Sequence, residues 1–456
     1  MTNIIINWQK TAADAGVEYA MACNTSVIGL KPDTNCNGIA LPPTSCPVDT
    51  ANACHFVMSG NNIQSTFTVT STLDADSTIS DMVSTGTVNI LKASDNSSVW
   101  RTYSQTTRLN KIPLSRRQIA VGADHTCFIS YNNLAYCWGG GFDGELGNGS
   151  TSDSLVPVGV DTGGTLKDKT ILSISAGEYH TCAIDVGGKA YCWGGNANGQ
   201  IGNGFKDAIN PVVSPVAVNT NSLLAGDRIF KSIAAGESHT CALTSIQNIY
   251  CWGDGGNGEL GNGLTNGSLT PVKVDTTNLP NGYKTFSSIA VGTYHVCAVA
   301  SDNRAYCWGG NGSGELGNND PLHPLVGSLI PVAVYVDDAL NGKTIISITA
   351  GWDYTCIIAS DDQAYCWGYN GWGELGSGNK STQLAPFKVI TAGTLMYNKK
   401  IVSISGRKFH TCATDSGGKA YCWGYNIHGE FGNGMADDGS LVPVATWMPP
   451  YHANYF

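Results

Sequence analysis

The sequence predicts a mainly β fold: a six-bladed β-propeller over residues 116–456, closed by the C-terminal strand, after a small α+β domain over residues 1–115. Three observations predict it. A motif recurs six times, at spacings of 55, 59, 56, 59 and 56 residues. Each copy holds four short strand-forming segments, and each carries two cysteines ten residues apart. Four strands in a repeat of this length are typical of a propeller blade.

One copy shows the four segments. Residues 171–184 read I-L-S-I-S-A-G-E-Y-H-T-C-A-I, and A-Y-C-W-G follows at 190–194, before a Gly-rich loop. We take the Pro-Val run, the I-x-S-I run, the H-T-C run and the Y-C-W-G run as strands one to four. Pro at the head of a strand fits a sheet edge, where no ladder hydrogen bond is lost.

The predicted closure depends on the first copy. In copies two to six a Pro stands 23 or 24 residues before the His, or before Tyr354, whereas Pro113 precedes His125 by only 12. The first copy therefore lacks strand one, and a spare Pro-Val run at 441–446 follows the last copy. We expect this C-terminal strand to complete blade one and remove an open edge. Residues 116–450 number 335, and 335/57 is about six blades.

The cysteines predict stapled hairpins. A centre five residues from each cysteine places the two side chains opposite each other, within disulfide range, whereas no zinc-type C-x2-C spacing occurs. Disulfides indicate an oxidising compartment, and we expect an export signal to have been removed. The alternative is six pairs of buried free thiols. The predicted pairs are Cys127 with Cys137, Cys182 with Cys192, Cys241 with Cys251, Cys297 with Cys307, Cys356 with Cys366, and Cys412 with Cys422.

Composition excludes several classes of protein. The formal net charge is −10, and charged residues make up only 13% of the chain. A nucleic-acid binder needs a basic stripe, so no nucleic-acid partner is expected. No apolar run is long enough to span a membrane.

The A-G-x-x-H-T and Y-x-W-G-x-N-x-x-G-Q/E-L-G patterns resemble the regulator of chromosome condensation repeat family over about 335 of the 456 residues. The resemblance implies the propeller fold, although the family's usual propeller has seven blades. Cysteines at strand positions that the family fills with Leu or small residues point to its secreted bacterial branch. The eponymous member catalyses guanine-nucleotide exchange, which disulfides and acidity argue against here. Another member is a secreted inhibitor of β-lactamases.

Residues 1–115 lack the repeat. Apolar side chains from Ile5 to Ala22 form a helical stripe, and strand-forming runs occupy 65–70, 86–91 and 99–103. A helix, a cysteine-bearing loop and a sheet resemble the globular part of a type IV or minor pilin; another α+β cap domain is the alternative. Residues 111–117 are the predicted linker. The loop cysteines allow three disulfide connectivities: Cys23, Cys36, Cys46 and Cys54.

No residue set predicts catalysis, a metal or a cofactor. The recurring histidines lie on separate blades, and the fifth is Tyr354, so hydrogen bonds to a neighbouring loop explain them better than a metal does. The recurring Glu is Gln at position 200, which favours a role in holding the backbone, and we expect the recurring Trp to pack between blades. Residues 74–81 contain three Asp but lack the Gly and Glu of a calcium loop. The histidines are His125, His180, His239, His295 and His410.

One face of the propeller is the predicted ligand-binding surface. The A-G-x-x-H and W-G-x-N loops open on the same face, and aromatics occur there at positions that differ between copies. Such aromatics anchor interfaces or stack on sugars, especially in blades five and six; filling gaps between blades is the alternative. The predicted residues are Asp124, Phe142, Tyr179, Tyr294, Trp352, Asp353, Tyr369, Trp372, Phe409, Tyr425 and His428.

Together these features predict an extracellular or cell-surface bacterial adhesin, a minor pilin or pilus-associated protein. Its propeller would bind a protein or glycan, and residues 1–115 would bind pilus subunits. Two alternatives are a secreted inhibitor of another protein and a polysaccharide-acting enzyme. An enzyme would need acids at variable positions, where only Asp124, Asp353, Glu178 and Glu237 occur.

Overall fold

A computed structural model describes residues 4–13, 16–25, 53–60, 63–73, 79–91 and 99–110 as strands, and residues 118–447 in detail except 131, 280–284, 321 and 324. The chain divides into two units, Met1–Leu114 and Ser115–Phe456. In the described residues the single helical segment is a 3-10 turn, Ala225–Asp227. None of the helical structure described there could cross a bilayer.

The N-terminal unit contains six strands, and the helix predicted over residues 4–23 is wrong. That stretch forms an antiparallel hairpin in which Ile4 pairs with Thr25. The apolar stripe also contains the run Ile4–Ile6, and β-branched residues favour a pleated strand over a helix. The predicted linker, most of the weak calcium loop and the pairing of Cys23, Cys36, Cys46 and Cys54 lie outside the described residues. The strands are β1 (Ile4–Ala13), β2 (Gly16–Thr25), β3 (Ala53–Gly60), β4 (Ile63–Leu73), β5 (Ile79–Leu91) and β6 (Val99–Asn110).

Strands β1 and β2 form one sheet, and β3 to β6 form a separate meander. The runs predicted at 65–70, 86–91 and 99–103 fall in β4, β5 and β6.

The second unit is the six-bladed propeller that the repeat predicts. Each blade is a four-stranded antiparallel meander of consecutive strands. Blade 1 has β7 (Ile119–Val121), β8 (His125–Ile129), β9 (Ala135–Gly139) and β10 (Ser154–Gly159). Blade 2 has β11 (Ile171–Ala176), β12 (His180–Asp185), β13 (Ala190–Asn196) and β14 (Asp207–Ala217). Blade 3 has β15 (Phe230–Ala235), β16 (His239–Thr244), β17 (Ile249–Gly253) and β18 (Ser268–Lys273).

The other three blades repeat this order. Blade 4 has β19 (Phe286–Val291), β20 (His295–Ala300), β21 (Ala305–Gly309) and β22 (Ser328–Ala333). Blade 5 has β23 (Ile345–Ala350), β24 (Tyr354–Ala359), β25 (Ala364–Gly368) and β26 (Gln383–Lys388). Blade 6 has β27 (Ile401–Arg407), β28 (His410–Asp415), β29 (Ala420–Asn426) and β30 (Asp437–Ala445).

The predicted closure by the C-terminal strand is wrong. The Pro-Val run is the last strand of its own copy, so β30 pairs with β29, and Val444 lies opposite Cys422. Blade 1 likewise has its own fourth strand, because β10 pairs with β9 through Val158 and Cys137. Each Pro-Val run therefore pairs with the strand that the Gly-rich loop of the same copy connects it to.

The six predicted disulfides are confirmed. In every blade the two cysteines face each other across the second and third strands, with Cα atoms 4.1 Å apart. Paired cysteines lie in register, and all of them except the half-buried Cys412 are almost fully buried. The staple therefore joins the two central strands of each blade. From blade 1 to blade 6 the bonds are Cys127 to Cys137, Cys182 to Cys192, Cys241 to Cys251, Cys297 to Cys307, Cys356 to Cys366, and Cys412 to Cys422.

Five of the boundaries between neighbouring blades carry a hydrophobic core. The cluster between blades 1 and 2 contains Leu146, Val160, Ile171 and Trp193. Equivalent clusters lie between blades 2 and 3, 3 and 4, 4 and 5, and 5 and 6. Among the described residues no such cluster joins blade 6 to blade 1, and we call this boundary the seam. Near the axis it is bridged by an ion pair in which Nζ of Lys408 lies 3.5 Å from Oδ1 of Asp124.

Candidate functional site

Two loops of each blade meet on one side of the propeller, as the sequence predicts. One connects the first and second strands (A-G-x-x-H), and the other connects the third and fourth (W-G-x-N); together we call them the loop face. Backbone hydrogen bonds join the two loops within each blade. In blade 2 the N–H of Gly195 donates to the carbonyl of Tyr179 at 2.7 Å, and in blade 5 Tyr369 donates to Asp353 at 2.8 Å.

Three of the five recurring histidines hydrogen-bond to the next blade, rather than to their own neighbouring loop. Nε2 of His125 lies 2.8 Å from Oγ1 of Thr181 in blade 2, and that hydroxyl donates to the carbonyl of Glu145 in blade 1. The carbonyl can only accept, so the hydroxyl proton points to it, and the imidazole must donate from Nε2. The same arrangement recurs at His180 with Thr240 and at His295 with Thr355, at 2.7 and 2.9 Å.

The recurring tryptophan donates a hydrogen bond to the same carbonyl, and it packs between blades as predicted. Nε1 of Trp193 donates to the carbonyl of Glu145 at 2.8 Å, and five of the six tryptophans are fully buried. The indole of Trp252 lies against Gly202, whose φ is 73° and where an added Cβ would come within 2.5 Å of Nε1. That position therefore needs glycine for both its backbone and the close approach. Trp138, which borders the seam, is the half-buried exception.

Burial keeps these histidines neutral. Desolvation lowers the pKa of His125 and His239 to about 4, and that of His180 and His295 to about 3. No cluster of metal-ligating side chains occurs in the described part of the chain. The hydrogen bonds of His125, His180 and His295 support a role in joining blades.

The recurring Glu holds its own loop, as its replacement by Gln200 predicts. Oε2 of Glu145, Glu315 and Glu374 accepts the backbone N–H two residues earlier, at 2.9, 2.7 and 3.0 Å. Gln200 does the same through Oε1 at 3.0 Å. Desolvation raises the pKa of these three Glu side chains to about 7, so a neutral side chain suits the site.

Five of the predicted face residues lie together, and we call them the aromatic cluster: Trp352, Trp372, Phe409, Tyr425 and His428. Ring centroids are 4.6 Å apart for Trp352 and Phe409, and 5.0 Å for Trp372 and Tyr425. The pairs are edge-to-face or tilted, so the cluster is a packed ridge rather than a flat platform. It joins blade 5 to blade 6 at the loop face.

The remaining predicted residues lie elsewhere on this face. Phe142 is 82% exposed and isolated from the cluster, and Asp124 pairs with Lys408. Tyr179 and Tyr294 are partly exposed and hydrogen-bond to the side chains of Glu178 and Glu237 respectively. Tyr369 belongs to the same loop as Trp372. A buried oxygen of Asp353 has no hydrogen-bond partner in the described region, and desolvation raises the pKa of this carboxyl.

The six A-G-x-x-H loops converge on the propeller axis around a cavity of about 20 Å³. Each blade contributes, from Ala123 in blade 1 to Arg407 and Lys408 in blade 6. Glu237 and Glu178 line it on the opposite side, and desolvation and repulsion by Glu178 raise the pKa of Glu237. The cavity holds about one water molecule, which is too little for an ordinary organic ligand.

Sequence reasoning missed three cations beside the aromatic cluster: Lys380, Arg407 and Lys408. Nζ of Lys380 lies 5.6 Å from the ring centre of Trp372. Three residues before the His, where the other five blades have the motif Gly, blade 6 has Arg407, in S-G-R-K-F-H. This replacement is a signal that the sequence contains.

A model of the RCC1-like domain matches residues 85–450. The chain belongs to this family. The ultraviolet-B receptor UVR8 of Arabidopsis thaliana is 33% identical to this RCC1-like chain over 328 residues, which cover 72% of this chain and 69% of UVR8. The family resemblance stated from the repeat motif is thereby confirmed.

Solved structures share the fold of this RCC1-like chain. Human WBSCR16 superposes with a TM-score of 0.63 at 20% identity, covering 75% of this chain and 84% of WBSCR16. Prp20p of Saccharomyces cerevisiae superposes with a TM-score of 0.60 at 23% identity, covering 78% of this chain and 82% of Prp20p. At these identities the likeness concerns the fold alone.

Proposed function

We propose that this chain is a non-enzymatic, exported binding protein whose loop face captures a polypeptide through the aromatic cluster. The observation that carries the proposal is the cluster itself. Trp, Tyr and Phe from two blades gather there. Blades 1 to 4 have small, polar or charged residues at the positions of Trp352, Trp372 and Tyr425, and the position of Phe409 varies between Asp, Ser and Tyr, so the propeller fold does not require these aromatics. Partly buried aromatics surrounded by polar groups are typical anchors of protein interfaces.

Relatives with the same fold support protein binding as the kind of function. A structure of Prp20p is described together with its binding to Gsp1p and histones, and UVR8 is named a receptor. Protein recognition on the same fold is therefore precedented. The edge-to-face geometry favours a polypeptide over a glycan, because sugar rings stack on a flat exposed ring face.

We propose no enzymatic role, because the acidic side chains of the loop face form hydrogen bonds within the fold. The recurring Glu side chains hold loop N–H groups, and Glu178 and Glu237 bond to tyrosines. A polysaccharide-acting enzyme needs two acids flanking one bond. Turnover of a polysaccharide by the purified chain would contradict this part of the proposal.

Export is proposed from the six disulfides, because such bonds persist in oxidising compartments. Mass spectrometry after alkylation, on protein from its natural source, tests it. We expect all twelve propeller cysteines to be protected; alkylated Cys297 and Cys307 would contradict export. We also propose that residues 1–115 bind pilus subunits, although the stretch that suggested a pilin helix is a hairpin.

The binding test compares variants of one face. Wild type, Trp352→Ala with Trp372→Ala, and Phe142→Ala are each immobilised and exposed to surface and secreted proteins of the source organism. We expect the double variant to lose at least tenfold in affinity for the captured partner, or about 1.4 kcal/mol. Phe142→Ala is the matched control, since it removes an exposed aromatic of the same face outside the cluster. Equal capture by the double variant, or capture of a glycan only, would reject the proposal.

A further inference from the structure

Charge is divided unevenly across the loop face. Apart from the recurring Glu, the loops of blades 1 to 3 carry six carboxylates and one cation, Lys206. The loops of blades 5 and 6 carry the three cations named above, with Asp353 as the one carboxylate at a variable position. The six carboxylates are Asp124, Asp143, Asp153, Glu178, Glu237 and Asp254.

The cations stand on both sides of the aromatic cluster. Lys380 covers Trp372 on the outer side, within cation–π distance. On the axial side, Arg407 and Lys408 immediately precede Phe409 in the chain, and both line the axial cavity with Trp352. Any segment that packs on the cluster therefore meets positive charge at both ends of the contact.

Arg407 lacks the partner that a desolvated cation requires. Lys408 is paired with Asp124, but in the described part of the chain the guanidinium of Arg407 forms no ion pair. Burial lowers the pKa of Arg407, and electrostatic attraction to Glu178 partly offsets that shift. Arg407 is half-buried, so its guanidinium is partly withdrawn from water, and a bound carboxylate would supply an acceptor for it.

Arg407 occupies the position at which the other five blades have the motif glycine. β27 extends through Arg407, which pairs with His410, whereas the first strand of blade 5 ends at Ala350, before its loop glycine. Lys408 then turns back with a φ of 40°. A non-glycine residue seldom adopts a positive φ, because its Cβ then crowds the backbone, so this loop departs from the repeat in its backbone as well as in its sequence.

We propose that the segment bound by the aromatic cluster is an acidic polypeptide segment, with Asp or Glu directly beside its apolar anchor, and that Arg407 and Lys380 select for those carboxylates. This inference rests on the proposed function. The guanidinium offers a planar fork that matches a carboxylate with two hydrogen bonds. The carboxylates of blades 1 to 3 repel the same acidic residues, so they fix the direction in which the segment lies.

A display library of random linear peptides, sorted on the full chain, tests the inference without a known partner. The baits are wild type, Lys380→Glu, Arg407→Gln with Lys380→Glu, Lys388→Glu and the Trp352→Ala, Trp372→Ala double variant. Lys388 is an exposed lysine on β26, away from the loop face, and is the matched control for a charge reversal. Lys380 is exposed, so its substitution leaves the fold intact even where that of Arg407 does not.

We expect wild type and Lys388→Glu to enrich peptides with Asp or Glu next to Trp, Phe or Leu. Lys380→Glu should weaken the best of these peptides by about threefold, and the double charge variant by at least tenfold. Raising salt from about 50 to about 500 mM should weaken binding to wild type. Enrichment of neutral or basic peptides, or no effect of the charge variants, overturns the inference while the proposed function stands. No enrichment, or enrichment unchanged by the loss of both tryptophans, overturns both.

Discussion

At the scale of single residues, one polar unit joins neighbouring blades. It consists of His in one blade, Thr and Trp in the next, and a loop carbonyl that accepts from both. The sequence shows that these residues recur, because the motif repeats, but the partner of the histidine is 56 to 60 residues away. Local patterns cannot predict such a pairing. Only the curvature of the ring brings the Thr of the next copy under the imidazole.

An exception to this unit supplies a test. Blade 4 has Val296 where the other five blades have Thr, and Nε2 of His239 is buried without a hydrogen-bond partner in the described residues. The carbonyl of Glu259, which already accepts from Trp308 at 2.9 Å, stands where the new hydroxyl could donate. We expect Val296→Thr to raise the free energy of unfolding by about 0.5–1.5 kcal/mol, measured by urea denaturation.

The control for this substitution is its reverse in a neighbouring blade. Thr355→Val removes the hydroxyl that faces His295, and leaves both the imidazole and the carbonyl of Glu315 short of a bond. It should lower the free energy of unfolding by about 1–3 kcal/mol. If both substitutions destabilise the protein equally, the hydrogen bond is not what holds the blades together.

The recurring Glu predicts a pH dependence with a definite sign. Burial raises the folded-state pKa of Glu315 to about 7 from 4.5, so its stabilising contribution is present below pH 4.5 and is lost as pH rises through 7. Glu315→Gln removes this titration. The variant should melt at the wild-type temperature at pH 4.5 and higher than wild type at pH 8, in calorimetric scans. Gln200→Glu is the converse and should lower the melting temperature at pH 8 only; a constant difference across pH would contradict the assignment.

At the scale of elements, the cysteine spacing predicted the hairpins correctly. The repeat did not predict to which blade each Pro-Val strand belongs. Ten residues between cysteines place them opposite each other in every blade, and the disulfides follow. The Pro-Val strand could belong to the copy before it or after it, because the connections on its two sides have similar lengths. Residues 197–206 lead into β14 and residues 218–229 lead out of it. A cyclic repeat has no intrinsic start, so the short gap before His125 wrongly predicts that blade 1 lacks a strand.

The prediction of an N-terminal helix is wrong because the pattern behind it is weak. A period near 3.6 was fitted to six apolar positions in twenty residues, of which three are alanines that favour no particular face. The β-branched run Ile4–Ile6 and the polar, branched positions that follow favour extended pairing. The five residues of the aromatic cluster are among the predicted face residues, and their role in binding stays a prediction. The cations beside them were not predicted, although Arg407 stands where the other five blades have the motif glycine.

At the scale of the whole propeller, the boundaries between blades are unequal. Leu155 in β10 is 99% exposed, whereas Leu269 at the same position of blade 3 is 36% exposed because the preceding blade covers it. Gly376 of blade 5 lies against Trp423, yet Gly432 of blade 6 faces no atom of the described residues within 4 Å. Glu430 is half-buried where its counterparts are buried. The seam thus lacks the apolar area that stabilises the other five boundaries.

This inequality predicts where the propeller opens. Local opening begins where few apolar contacts are lost, so the strands that flank the seam should exchange their amide protons before the rest. In hydrogen-exchange mass spectrometry of the full chain at neutral pH, we expect β7, β10 and β30 to exchange at least tenfold faster than β15, β18 and β22. The comparison pairs first and fourth strands with their equivalents in blades 3 and 4, so edge position within a blade is matched. The disulfides hold the second and third strands together in every blade, so opening at the seam should leave β8, β9, β28 and β29 protected. Uniform exchange across the six blades, or faster exchange between blades 3 and 4, would show that the ion pair of Lys408 and Asp124 closes the ring as firmly as a hydrophobic core does.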